Sequence, residues 1–243
     1  MTIKEFQHEG SSWDELATKT ELAAVLDPEG SQRKNYYIHS LHLQILRKGL
    51  RRVHKGNILD FGCGTGRVSR WLASNGWNVL GLDISGGMIA KARELSMQTS
   101  GIAYQEFDGL NIPAGNSEFE AVITVYVLQY AVRNIDLLSS IAGELSRVLK
   151  PGGSVICIEI TDNQLFTSDK YIDVFNSAGF RLIHQEPVRQ KFDRFMYQAE
   201  KESIPMYFIP LLGRLGNLEC RVRNLLGKMK PDWHDHLYIF KKN

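Results

Sequence analysis

Asp60-Phe-Gly62-Cys63-Gly64-Thr-Gly66 places three glycines at alternate positions directly after a short apolar run, Asn57 to Phe61. Glycines so spaced let the backbone turn sharply and lie against a ligand with no side chain between. A helix opening at the end of the loop presents unpaired N–H groups to polar ligand atoms. Seventeen residues beyond Gly66, after a second apolar run, stands Asp83. A carboxylate at that strand end can accept both hydroxyls of a ribose. These residues therefore offer recognition of a nucleoside. A glycine loop alone is also compatible with a tight turn that binds nothing, and the acid at the second strand end argues against that.

Positioning such a loop requires strands that alternate with helices, and the chain has them. Strands are predicted at 57–61, 77–82, 102–107, 119–125, 154–160 and 180–186, with helices at 68–75, 87–97, about 135–150 and 169–178 between them. The alternation predicts a parallel sheet covered on both faces. Before it, residues 13–26 read as one helix ending at Asp27-Pro28. A second runs from about Arg33 to Gly49, with Tyr37, Leu41, Ile45 and Leu46 on one face. After it, His236 to Phe240 reads as a final edge strand. Between the last two strands, Leu211, Leu212, Leu215, Leu218, Val222, Leu225 and Leu226 recur at helical spacing, so one face of that helix is expected to be buried.

The dinucleotide fingerprint G-x-G-x-x-G needs a third glycine where this chain has Arg67. The pattern present, D-x-G-x-G-x-G, resembles the first motif of the class I S-adenosylmethionine-dependent methyltransferases of small-molecule type. The resemblance runs in order from residue 57 to about 186. It implies that Asp60, Gly62, Cys63, Gly64 and Gly66 wrap the methionine part of S-adenosylmethionine and that Asp83 holds its ribose. Ile84 and Met88, in the D-x-S-x-x-M match Asp83 to Met88, would pack on the adenine. Asp108, Gly109 and Leu110 match the segment whose aspartate takes the adenine amino group. Phe119 to Leu128 is similar to the fourth strand and its exit, with Val125 beside the cofactor. Arg147-Val-Leu-Lys-Pro-Gly-Gly153 matches the motif before the fifth strand. The implied architecture is a doubly wound, seven-stranded, mostly parallel Rossmann-like methyltransferase sheet. Residues 1–50 form an N-terminal helical cap, 51–190 and 233–243 the cofactor domain, and 191–232 a late insertion that serves as a substrate lid.

A sulfonium methyl is already activated, so the protein has to align a nucleophile behind it and exclude water. Such positioning can supply roughly 7–11 kcal/mol. Only a weakly acidic nucleophile also needs a base, and no residue is assigned that role. Tyr126, Gln129 and Tyr130 at the fourth-strand exit are candidates to face the acceptor, with packing as the alternative for both tyrosines. Arg33 or Tyr37 is a candidate for the cofactor carboxylate, and His39 for a base or a surface residue. No Asn/Asp-Pro-Pro-aromatic motif follows the fourth strand, which disfavours methylation of DNA bases, and paired glutamates are absent there. Asp162-Asn163 reads as a turn rather than a metal site, and no metal is expected.

A formal net charge of +2 argues for no nucleic-acid partner by itself. Cys63, Cys157 and Cys220 form no metal-type pair and suggest reduced thiols in the cytoplasm. No apolar run is long enough to span a bilayer. The insertion carries Arg214, Arg221, Arg223, Lys228 and Lys230 against Glu219 alone between Pro205 and Pro231. It reads as a lid with a solvated basic face, or as a site for an amphiphilic or anionic acceptor or a peripheral membrane contact. Transfer to a small-molecule oxygen, nitrogen or carbon nucleophile is the expected function. Methylation of a macromolecule such as RNA, or cofactor binding by a non-catalytic partner subunit, are the alternatives. The oligomeric state is open.

Overall fold

Ile58 and Leu59, Ala121 to Ile123, and Val155 to Ile158 are all buried. Successive residues of a strand point to opposite faces, so unbroken apolar runs mean strands covered on both sides. The computed structural model describes residues 12–131, 134–161, 167–190, 193–228 and 234–243, the side chains of Tyr130 and His234 excepted. Among them are β1 (Asn57–Phe61), β2 (Asn78–Asp83), β3 (Ile102–Glu106), β4 (Phe119–Val125), β5 (Leu149–Thr161), β6 (Phe180–Gln190) and β7 (His234–Lys242). They form one sheet in the order β3-β2-β1-β4-β5-β7-β6. The first five pair in parallel, and β7 runs antiparallel to both β5 and β6.

The helices are α1 (12–16), α2 (Glu21–Val25), α3 (Gln32–Gly49), α4 (Arg67–Ser74), α5 (Gly86–Leu95), α6 (Leu128–Ala131), α7 (Ile135–Val148), α8 (Ser168–Ser177), α9 (Arg194–Ala199) and α10 (Ile209–Leu225). Leu59, Val122, Val155 and Cys157 face α7 and α8, whereas Ile58, Ile123, Ile156 and Ile158 face α3 and α4. Among the described residues, no helix is long and apolar enough to cross a membrane.

The structure changes several of the sequence readings. Residues 13–26 are two short helices, because Thr18 donates its hydroxyl to Glu15 O at 2.7 Å and Thr20 is extended. The strand read as 154–160 starts at Leu149, directly after α7, and runs through the Pro-Gly-Gly stop. The strand read as 180–186 continues to Gln190 through Pro187, which is tolerated because β6 pairs on one side only. Accordingly β6, not the strand at 236–240, is the sheet edge, and β7 lies inside with Leu237, Tyr238 and Phe240 fully buried.

The helix anticipated in the insertion is α10, but its leucines are not the buried face. Ile209, Gly213, Gly216 and Cys220 are buried instead, packed with α3, β6 and α9. A Cβ at Gly216 would lie 2.3 Å from the Tyr37 hydroxyl, whereas one at Gly213 would meet Leu41 Cβ at an ordinary 3.6 Å. Alanine raises helix propensity by about 0.5–1 kcal/mol over glycine, and an overpacking clash costs about 1–3 kcal/mol. Gly213→Ala should therefore raise the melting temperature slightly. Gly216→Ala should lower it by about 2–4 °C per kcal/mol lost, and scanning calorimetry of the two variants checks the contrast.

Candidate active site

After β1 the backbone turns through Gly62 at φ 73° and Gly64 at φ 53°, conformations that side chains resist. Close approach adds a second constraint. A Cβ at Gly62 would lie 2.3 Å from Val127 Cγ2, and one at Gly64 2.5 Å from Val25 Cγ1. The loop is thus wedged between the exit of β4 and helix α2. The N–H groups of Gly62 and Cys63 both donate to Leu82 O at 2.8 Å. Asp83, the last residue of β2, accepts from Gly64 N at 2.8 Å and from Ser85 N at 3.0 Å. Burial raises its pKa against the pull of these donors. Ser85 caps α5 and donates its hydroxyl to Asp14 Oδ1 at 2.5 Å, which pins α1 over the loop.

The exit of β4 is held by another acid. Glu159, fully buried, accepts from Thr124 Oγ1 at 2.9 Å and from the N–H groups of Val127 and Gln129 at 3.3 Å. Burial pushes its carboxyl up to about 7. Between these donors Tyr126 sits at φ 62°, a strained conformation of the kind that clusters at functional sites. Its hydroxyl donates to Asp235 Oδ2 at 2.6 Å, and Arg189 Nε donates to the same oxygen at 2.8 Å. Burial, then Asp235, raises the phenol well above its usual range, so it stays a proton donor.

These elements enclose a cavity of about 630 Å³ at the carboxyl ends of the strands. One wall holds Gly62, Gly64, Asp83, Ile84, Met88, Gly109 and Val125. The other holds Tyr126, Gln129, Ile160, Arg189, Met196 and Tyr197, with Trp13 and Val25 from the N-terminal helices above. Gln129 Oε1 is buried without a hydrogen-bond partner among the described residues.

Several candidates lie off the cavity wall. Asp60 accepts from Ser69 Oγ at 2.5 Å and supports the loop from below. Cys63 packs with Ile89, Ala92 and Tyr104, and Gly66 begins α4. Asp108 is turned into its own loop, accepting from Leu110 N at 2.9 Å and Asn111 N at 2.6 Å, and Leu110 packs into the core. Arg33 donates to Ala199 O at 2.7 Å and to Ile204 O, and Tyr37 donates to Asp193 Oδ2 at 2.5 Å. Both therefore fasten the N-terminal helices to the insertion rather than reach the cavity. His39 faces Arg67 instead of the acceptor. The Tyr130 side chain and Asp162-Asn163 lie outside the described residues. Among those described, no cluster of metal-binding side chains occurs.

Arg189, Glu159, Asp235 and Asp14 escaped the sequence reading. Glu159 carried a usable signal, a lone charge inside an apolar strand. Arg189 carried a contrary one, because Pro187 suggested that its strand had already ended.

A family described as a methyltransferase domain matches residues 59–157. A malonyl-[acyl-carrier protein] O-methyltransferase of Pectobacterium atrosepticum is 37% identical over 114 residues, 46% of this chain and 42% of that one. A ubiquinone/menaquinone biosynthesis C-methyltransferase of Acidiphilium cryptum is 30% identical over 185 residues, 72% of this chain and 71% of the relative. The chain belongs to the S-adenosylmethionine-dependent methyltransferase family. It spans less than half the length of the first of these relatives. The crystal structure of the [4+2]-cyclase SpnF shares the fold of this chain, at a TM-score of 0.68 and 17% identity, over 97% of this chain and 95% of that one.

The family's cofactor suits this wall. Gly62 and Gly64 leave bare backbone beside the cavity, Asp83 stands at the end of β2, and Met88 offers an apolar surface. Arg67 occupies the position of the third dinucleotide glycine, and its side chain points away to α3. It lies 3.3 Å from Nδ1 of both His39 and His42. A guanidinium only donates, so both rings accept at Nδ1 and carry their proton on Nε2. Burial first, then Arg67, lowers His39 to about 3 and lowers His42 in the same direction. An unfolded histidine takes up a proton below about 6.5 while the folded His39 stays neutral. Its contribution is thus complete above pH 6.5 and lost as pH falls toward 3. Between pH 7 and 4 the melting temperature of the parent should fall more steeply than that of His39→Gln. Parallel slopes would place His39 in solvent.

Proposed function

We propose that the chain transfers the methyl group of S-adenosylmethionine to a small amphiphilic acceptor held beside it in the cavity. One observation carries this reading: the nucleoside-type wall around Asp83 and the wall around Tyr126 enclose a single cavity. Its volume lies within the roughly 300–1,000 Å³ of small-ligand pockets. On this reading Asp83 accepts the ribose hydroxyls, Met88 and Ile84 flank the adenine, and the loop Gly62 to Gly64 follows the methionine part. The cofactor, when bound, supplies an activated methyl on a sulfonium.

The lining of the second wall supports this acceptor class. It is apolar at Ile38, Ile160 and Met196, with a few polar groups at one place. Tyr126 has its hydroxyl proton held by Asp235, and Gln129 offers an unpartnered acceptor oxygen. The cations on the wall are balanced: Arg189 pairs with Asp235, and Lys34 with Asp27 at 2.6 Å. A largely apolar molecule with one polar handle suits such a lining better than a polyanion. The relative named for ubiquinone/menaquinone biosynthesis is compatible with such an acceptor, and nothing in the cavity favours nucleic acid. The protein's work is alignment and exclusion of water, with Trp13, Val25 and Tyr197 covering the reacting groups.

Isothermal titration tests the first wall. Charge-assisted hydrogen bonds are worth about 1.5–3 kcal/mol each, so Asp83→Ala should weaken S-adenosylhomocysteine more than tenfold. The parent should be stabilised by S-adenosylhomocysteine and not by NAD. Stabilisation by NAD alone would overturn the cofactor assignment.

Mass analysis of an amphiphilic phenol and quinol panel incubated with S-adenosylmethionine tests the second wall. The expected result is gain of one methyl by an acceptor, with Gln129→Leu raising KM about tenfold and leaving cofactor affinity within a few-fold. Tight cofactor binding with no acceptor methylated across the panel would favour a non-catalytic binder.

A further inference from the structure

Helix α10 turns its small residues inward and its large apolar ones outward. Leu211, Leu215, Leu218, Val222 and Leu225 are exposed, Leu218 at 55% and Leu225 at 84%. At about 100° per residue they fall on one stripe roughly 80° wide. Tyr207 and Phe208, exposed and in ring contact at 4.6 Å, extend the stripe before the helix, and exposed Leu226 extends it after. Contiguous apolar surface of this kind marks an interaction site rather than a random exposure.

The rim of the stripe is basic. Between Pro205 and Lys228 stand Arg214, Arg221, Arg223 and Lys228 against Glu219 alone. Glu219 is already taken by Arg194 and Arg223, each at 2.8 Å. Arg221 reaches Glu186 at 3.4 Å, an acid shared with Lys48. Arg214 and Lys228 form no ion pair among the described residues, and Arg214 Nε donates to Gln44 Oε1 at 3.1 Å. Helical spacing puts Arg214 and Arg221 along one flank of the stripe and Arg223 and Glu219 along the other.

That distribution discriminates between occupants. A second copy pairing antiparallel would set Arg214 and Arg221 against their own counterparts, with no acid on that flank. Pairing in parallel would bring them to Glu219, whose carboxylate is already held by two arginines. An anionic lipid surface answers both features, accepting the leucines at the headgroup boundary and the cations at the phosphates. We propose that the exposed face of α10, with Tyr207 and Phe208, docks the protein on an anionic membrane surface with the helix lying in its plane. Helix α9 adjoins this face, because Arg194 bridges to Glu219 while Tyr197 lines the cavity. The docked face is therefore continuous with one wall of the proposed acceptor site. The docking itself does not rest on methyl transfer.

Flotation of the full chain with vesicles of phosphatidylcholine, with and without phosphatidylglycerol, tests this at low and high salt. The chain should float with the anionic vesicles at low salt and much less with neutral ones. Leu218→Gln/Val222→Gln should weaken flotation at least about tenfold, since each removes an apolar side chain from the contact. Arg214→Glu/Lys228→Glu should do so at low salt, each cation being worth about fivefold near an anionic surface. The replaced side chains are exposed, so both variants should retain the parent's melting temperature and its affinity for S-adenosylhomocysteine. Leu225→Gln, in the last turn, provides an independent third variant. The proposal is overturned if the parent stays unbound to anionic vesicles at low salt, or if the variants float as well as the parent. Sedimentation showing a dimer that Leu218→Gln/Val222→Gln splits, without vesicle binding, would assign the face to a second copy instead.

Discussion

Buried carboxylates at the carboxyl ends of the strands hold the cavity loops in place. Asp83 draws Gly64 and Ser85 together, Glu159 gathers Thr124, Val127 and Gln129, and Asp235 binds Tyr126 and Arg189. The loop after β1 is thereby fastened to β2, and the exit of β4 to β5 and β7. A buried charge without partners costs several kcal/mol, so each acid is stable only while its donors converge on it. The same residues that would meet ligands are therefore the ones whose positions the acids specify. Burial at that end of the sheet raises the carboxyls of both Asp83 and Glu159.

A second set of contacts builds the cover. Tyr37 on α3 donates to Asp193 ahead of α9, and Arg33 holds the carbonyls of Ala199 and Ile204. Gly216 lets α10 come against the Tyr37 hydroxyl. The N-terminal helices are thus joined to residues 193–204, although more than 150 residues separate them in sequence. Arg67 on α4 reaches α3 through two histidines.

Most of the sheet was legible. Unbroken apolar runs and alternate glycines have one plain structural meaning, and the loop at Gly62 and Gly64 and the acid at Asp83 stand on the cavity wall as their spacing suggests. The late strands were less so. Pro187 ends a strand only if both edges need its N–H, and which strand is the edge is not encoded locally. Arg189 was missed for that reason. Asp108 accepts from the N–H groups of its own turn, a local arrangement that the motif does not reveal.

Composition and periodicity determined the alternation of strands and helices, the nucleoside-type loop and the presence of a helix at 209–225, because these are encoded within a few residues. Only the tertiary structure decided which face of that helix is buried. Leucine spacing predicts a stripe, but the buried face carries Ile209, Gly213, Gly216 and Cys220, and at Gly216 the Tyr37 hydroxyl leaves no room even for a Cβ. That close approach sets which face of α10 turns inward and leaves most of its leucines on the surface. The same holds for Arg33, Tyr37 and His39, whose partners Ala199, Asp193 and Arg67 lie far along the chain. A side chain's type limits what it can bind, and folding selects which partner comes within reach.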